Sequence, residues 1–531
     1  MTIARRLGIL AIAAGLATSI PAFAQAQNPF AGLQEQIDAL TQRLYALETG
    51  APGALTVACP GQTIGDALAS APAGAPLTIT VSGMCTENVV VMRDDVAILG
   101  ADGGATVVAA NPSRPAILLE GARRVTLDKV STSGGAGGVV GVRGAVFTVS
   151  NARVSGAAGY GVVVTDNSVL AVLDSTVENN TGYGMVAARA SHLRVGQDLS
   201  GTLVGRPVTV KNNGAGGIQI VDNSIGIVIA TTVQNHPNGN GVGISGSNAA
   251  RIGAVTGLVA PNTITNNRNG VSVYQASQAF IRGNTISGST TGVNLGSAAA
   301  TIIGNAISSS NVGISVSETS TARIGIADDS VTVVGNTIEG SARDGIGIYN
   351  GSSAVLAGNT VTTSGRFGVN VTRSTARMVG RNVITGNTGH GVIVIDSSSL
   401  FQGQGDFAVA DSFDRIESNG GHGINVFNTS SINLSNVRIA NNAGRGIDLF
   451  LGSSARVTNT TVVDNTTVVD NAREGVGVAG ASLFSTPIPA NLVVTGNGTG
   501  GLICFDGTSR ASGDFLGISS NGGSQVSCSG F

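Results

Sequence analysis

The chain has 531 residues with Gly 78, Trp 0 and only 4 % aromatics. Charged residues make up 11 %, where about 25 % is usual. Apolar residues at 42 % are enough to bury a core, which excludes a disordered polar tract. A formal charge of −2, with Lys129 and Lys211 as the sole lysines, argues against nucleic acid as the main partner and against a polybasic membrane patch.

Residues 1–24 read as an export signal. Arg5 and Arg6 precede an apolar stretch from Leu7 to Ile20, and Ala22-Phe23-Ala24 forms a small-x-small cleavage site before Gln25. The stretch is shorter than the ~20 residues that span a bilayer. This predicts a secreted, periplasmic or cell-surface bacterial protein cleaved near Ala24, with no membrane span. Residues 25–54 follow as a short helix and linker. Leu33, Ile37, Leu40, Leu44 and Leu47 set a heptad seam over residues 31–49, which offers a surface for homo-oligomerisation. Ala51 to Ala54 reads as the linker.

The body is expected over 55–531. Its four cysteines fit an oxidising compartment. Cys59 and Cys85 lie near one end and Cys504 and Cys528 near the other. Two local bridges, Cys59–Cys85 and Cys504–Cys528, are predicted, although four cysteines admit three connectivities. A zinc site has no support, because no C-x-x-C spacing occurs.

From about residue 138 the chain repeats with a unit of ~23 residues, some units carrying extra residues. A glycine followed by an apolar residue opens each unit, as at Gly345, Gly368, Gly391, Gly423 and Gly446. Within a unit the apolar period is two. GVNVTRSTARMVGRNVI (368–384) reads as a strand with Val369 and Val371 inward, a turn, a strand with Ala376 and Met378 inward, a corner and a third strand at Val383. Three short strands per unit predict a solenoid in which each strand pairs in parallel with its counterpart in the next coil. Only stacking closes the aliphatic core. The glycines are expected to supply a backbone conformation that a β-carbon opposes. Asn284, Asn305, Asn336, Asn359 and Asn382 fall at one corner, where Asn tolerates left-handed backbone and its amide reaches the neighbouring coils.

These units resemble the repeats of right-handed β-helix proteins, the pectate-lyase-like superfamily, over about residues 75–525. The resemblance implies an all-β, single-stranded right-handed parallel β-helix solenoid with an N-terminal capping helix. TIGDALASAPAG (63–74) is similar to that cap, within a capping segment at 55–76. Coils follow from about 77 to 525, and a C-terminal cap is stapled by Cys504–Cys528. About seventeen coils at ~4.8 Å each would make a stack of roughly 80 Å.

Outward positions on the first strands form columns. One holds Ser272, Asn294, Ser315, Asn370, Asn425 and Asp448. A second holds Tyr274, Tyr349, Phe427 and Phe450. A third, just before the glycine, holds Asp344, Phe367, His390, His422, Arg445 and Glu474. Aromatic faces pack on sugar rings, and Asn, Asp and Arg bond hydroxyls or carboxylates. Tyr274, Tyr349, Asn370, Asn425, Phe427 and Phe450 are therefore the candidate binding residues for a polysaccharide or other cell-surface component. Inserts at about 194–209, 251–262, 323–334 and 401–415 are expected to wall a groove if they share a corner.

An enzyme reading centres on His390, His422, Arg445 and Asp448: a base to take the proton beside a uronate carboxylate and a cation to steady the charge. This would make the chain a polysaccharide lyase or epimerase. Gly389-His390-Gly391 and Gly421-His422-Gly423 match a string of the polygalacturonases, but that family's aspartate pair is missing within one coil, so both strings read as accidents of repeat position. No metal is assigned. Asp166-Asn167-Ser168 and Asp222-Asn223-Ser224 offer calcium ligands but suit ordinary turns. The preferred expectation is a binding or structural β-helix, with the lyase or epimerase and an oligomeric adhesin or tailspike-like fibre as alternatives.

Overall fold

Alternating inward valines and isoleucines along each unit produce short strands with one face dry. The computed structural model describes residue 41 and residues 53–528 apart from 73, 203, 254–259, 404–412, 459–465 and 487–491. The expected signal at 1–24 and, but for Thr41, the expected heptad segment at 31–49 lie outside the described residues. So does much of the inserts at 251–262 and 401–415.

Every strand pairs in parallel with its counterpart one coil away. A unit such as 368–385 contributes Val369–Thr372, Thr375–Met378 and Val383–Thr385 to three separate parallel faces, here called the first, second and third sheets. Register is residue to residue: Val369 lies on Val392 and Val371 on Val394. The inward side chains form one continuous core, with Ile346, Val369, Val392, Ile424 and Ile447 all fully buried. The predicted period, strand order and parallel pairing are all present.

The N-terminal end is closed as expected. A short helix, Ile64–Ser70, buries Ile64 and Ala67 over the first coil, and Thr63 Oγ1 caps it by accepting from Asp66 N. Glu87 fixes the helix from below, its carboxylate accepting from Ile64 N and Gly65 N at 2.8 and 3.0 Å. Both expected disulfides form. Cys85 sits in the strand Leu77–Thr86 and Cys504 in Gly500–Cys504, so each bridge ties one end of the stack. Gly53 and Ala54, read as linker, instead open the first strand, Gly53–Ala58, and pair with Leu77 and Thr78. The body therefore begins two residues earlier than its sequence suggests.

Two expectations about the repeat need a different physical reason. The glycines that open the units are not left-handed. A Cβ at Gly368 would lie 2.3 Å from Ile384 Cγ2 and 2.7 Å from Gly391 O, so the next coil's close approach excludes a side chain. The corner asparagines are not left-handed either; the residue before four of the five is, at Gly283, Gly304, Gly358 and Arg381.

The asparagines themselves form an amide ladder. Each Nδ2 donates to the next Oδ1 at about 2.9–3.0 Å from Asn284 through Asn305, Asn336 and Asn359 to Asn382. Asp414 ends this ladder, accepting from Asn382 Nδ2 and Gln402 Nε2. Burial pushes its carboxyl up to about 6, against the pull of those bonds. A second ladder climbs another corner from Asn387 through Asn419, Asn442 and Asn471 to Asn497. On the third corner each serine backbone N–H donates to the next coil's serine hydroxyl, as from Ser374 to Ser398 and from Ser398 to Ser430. Buried corners are thus satisfied coil by coil.

Asn336→Ala should leave the backbone N–H of Asn305 without its Oδ1 acceptor and break the amide ladder at its centre. At about 1–3 kcal/mol per unsatisfied buried group, the variant is expected to lose roughly 1–3 kcal/mol. Chemical denaturation checks this, and a loss below about 0.5 kcal/mol would contradict the ladder's role.

Candidate polysaccharide-binding face

The outward side chains of the first sheet stack in files because the register repeats. Asn370, Ile393, Asn425 and Asp448 follow one another along the trough floor. Tyr349, Thr372, Ile395, Phe427 and Phe450 form one side in the same order. The residues preceding each glycine form the other. Phe367 stacks on His390 at 5.4 Å between centroids and His390 on His422 at 4.8 Å, with interplanar angles of 7° and 11°. Phe427 stacks on Phe450 at 5.6 Å within the opposite file. The floor is deeper than expected: Asn370 is only 3 % exposed, and Asn425 and Asp448 are each 9 %. Phe450 stands 40 % exposed.

The G-H strings have a structural cause. A Cβ at Gly421 would lie 2.6 Å from His390 Nδ1, and one at Gly444 2.6 Å from His422 Nδ1. Each glycine clears space for the imidazole of the preceding coil. The ring nitrogens are then used: His422 N donates to His390 Nδ1 at 2.9 Å, and Arg445 N donates to His422 Nδ1 at 2.8 Å. A nitrogen that accepts a backbone N–H carries no proton, so both rings are held as the Nε2–H tautomer. Burial lowers the pKa of both. His390 falls to about 4, with repulsion from His422 adding to burial. For His422, Asp448 opposes the fall and Arg445 reinforces it. Its Nε2 lies 3.7 Å from Asp448 Oδ2.

Two carboxylate networks flank this stack. Asp448 accepts from Arg445 Nη1 at 2.6 Å and from Asn425 Nδ2 at 2.9 Å, while Arg445 Nε donates to Glu474 at 2.8 Å. The Arg445 guanidinium also lies 4.3 Å over the Phe505 ring. Four of the proposed site residues, His390, His422, Arg445 and Asp448, therefore do come together. The second network centres on Asp344, fully buried, which accepts from Arg366 Nε and Nη2, Tyr349 OH and Asn370 Nδ2 at 2.6–3.0 Å. Burial would push this carboxyl up, but those donors hold it below its ordinary value. Tyr349 is raised by burial and by Asp344.

Sequence reasoning passed over Arg366 and Phe505. Arg366 precedes the file residue Phe367, with its guanidinium 4.7 Å over that ring. Tyr274 stays apart from the cluster, since Gly296 and Ser317 intervene on its file, and it accepts from Asn294 Nδ2. The inserts at 194–209 and 323–334 connect second-sheet strands, His192–Val195 and Thr321–Ile324, to third-sheet strands, Val208–Lys211 and Thr337–Glu339, and so leave a corner away from the first sheet. Asp166, Asn167, Asp222 and Asn223 are left-handed turn residues, and Asp166 pairs with Arg189 at 3.1 Å. Among the described residues, a tight metal-type cluster occurs at Cys59, Cys85 and Glu87, whose cysteines are bonded to each other.

A family model described as right-handed beta helix region matches residues 97–254, 252–403 and 412–515. The chain belongs to that family. Solved structures similar to it include the periplasmic alginate epimerase AlgG, at 13 % identity over 80 % of this chain and 86 % of that one with a TM-score of 0.28. The surface adhesin PfbA of Streptococcus pneumoniae matches at 10 % identity over 73 % and 87 %, TM-score 0.23. A family 28 exopolygalacturonase of Yersinia enterocolitica matches at 11 % over 77 % and 76 %, TM-score 0.21. No curated protein matches the sequence.

A histidine with a depressed pKa stabilises the fold above its ordinary value of 6.5 and loses that contribution as pH falls towards its folded value. The contribution of His390 should therefore drop between about pH 6.5 and 4. His390→Gln is expected to flatten that part of the profile, read as melting temperature against pH for both proteins. An unchanged slope would contradict a buried neutral imidazole.

Proposed function

We propose that this chain binds a polysaccharide lying along the first sheet between Tyr349 and Phe450, rather than turning one over. The observation that carries this reading is the state of the histidines. Their lone pairs are spent on backbone N–H groups, so each offers the trough a donor at Nε2 and no base. Arg445, the cation that a uronate carboxylate would need, is already held by Asp448 and Glu474. What is left is hydroxyl recognition. Asn370 and Asn425, expected as binding residues, are buried and donate to Asp344 and Asp448, so the imidazole N–H groups supply the polar contacts, and Phe427 and Phe450 supply flat apolar surface for sugar rings. Acids and arginines offset one another here, which favours a polymer recognised by its hydroxyls over one recognised by charge.

Export belongs to the same proposal. Two disulfides suit an oxidising compartment, the leader at 1–24 has the layout of a signal, and no helix among the described residues is long and apolar enough to cross a membrane. The role is then that of a periplasmic or cell-surface binding protein.

Affinity electrophoresis against a panel of neutral and acidic polysaccharides tests this. Binding to at least one polymer is expected, weakened tenfold or more by Phe427→Ala with Phe450→Ala. Failure to bind any polymer would overturn it. Release of unsaturated product from a uronate polymer, abolished by His390→Ala or His422→Ala, would instead establish the lyase reading.

A further inference from the structure

The second sheet differs from the first in charge. Its strands between residues 192 and 485 carry Arg194, Arg251, Arg282, Arg323, Arg377 and Arg456 and not one Asp or Glu. All but Arg282 share a single outward file, set by unbroken register from Arg194 to Arg456. Ile227, Phe280, Val355 and Phe401 occupy rungs between them. Scattered in sequence, these arginines escape any search for a basic run, and only the solenoid lines them up.

Two of the guanidiniums are anchored on uncharged oxygens. Arg194 Nη1 donates to Asp198 O, and Arg323 Nη1 to Ala327 O and Ser330 Oγ. Arg377 lies 5.1 Å over Phe401. Asp328 comes within 3.9 Å of Arg323 and offsets that one in part. Arg251 and Arg456 stand exposed. Neighbouring arginines of the file sit two or three coils apart, about 10–14 Å at ~4.8 Å per coil. That exceeds the Debye length of about 8 Å at physiological salt, so the arginines do not act together on one small ion. A chain with regularly spaced anions meets them in turn.

We infer that the second sheet is a binding track for an extended acidic polysaccharide running parallel to the solenoid axis. Arginine rather than lysine suits carboxylate or sulfate groups, which it bonds through two parallel N–H donors. The apolar rungs between arginines suit sugar rings. This track is independent of the first-sheet reading and uses none of its residues.

The test uses the full chain with polygalacturonate and dextran sulfate, neutral dextran as control and single-stranded DNA as competitor. The wild type should bind at least one acidic polymer, more weakly as salt rises, and any binding of neutral dextran should be unchanged in the arginine variants. R251E with R377E and R456E should weaken acidic-polymer binding at least tenfold, while Phe427→Ala with Phe450→Ala leaves it unchanged. Should the triple variant misfold by circular dichroism, the exposed pair R251Q with R456Q should still weaken binding several-fold. Absence of acidic-polymer binding, full retention in the arginine variants, or displacement by DNA at equal charge concentration would overturn the inference.

Discussion

The structure depends on one constraint: each coil must present its backbone and side chains in register with the next. A single coil cannot dry its own valines and isoleucines, nor satisfy the amides at its corners. Both are solved by the neighbour above. Core side chains meet their equivalents, asparagine amides bond asparagine amides, and glycines stand where the next coil comes too close for a β-carbon. Stability is therefore spread over nearest-neighbour interfaces, with a helix and a disulfide at the N-terminal end and a second disulfide at the C-terminal end to close the stack.

That constraint also builds the surfaces. Any chemical type repeated at one position of the unit becomes a file on the outside. On the first sheet this gives a stack of rings facing a second aromatic wall, with carboxylates below. The files dictate protonation as well as position. Both imidazoles accept from the coil above, which fixes their tautomer, while burial lowers their pKa. Arginine and carboxylate pairs close on themselves. A surface assembled this way is suited to holding a long ligand across several coils.

Much of the fold was legible because it is written in periodicity. A period of two inside the unit marked strands, the longer period marked coils, and paired cysteines near the two ends marked the staples. The columns of Asn370, Asn425, Asp448 and the histidines were legible for the same reason. What escaped depended on packing distance. The reason for glycine at 421 and 444 is an imidazole from another coil. The depth of Asn370 and the closure of Asp344 around Arg366 depend on side chains leaning between files. The insert corner was invisible until strands were assigned to sheets, and so was the arginine file, because neither is a local string.

The most direct test of the account is cross-linking by register. Phe427 and Phe450 are partners on adjacent coils, and parallel neighbours fall within the Cα separation of about 4.4–6.8 Å that a disulfide needs. Thr372 lies two coils from Phe427, with Ile395 between. F427C with F450C should oxidise to a bridge in the folded protein, seen by non-reducing peptide mapping, while T372C with F427C should not. A bridge in the second pair, or none in the first, would contradict the coil-on-coil register from which both surfaces are built.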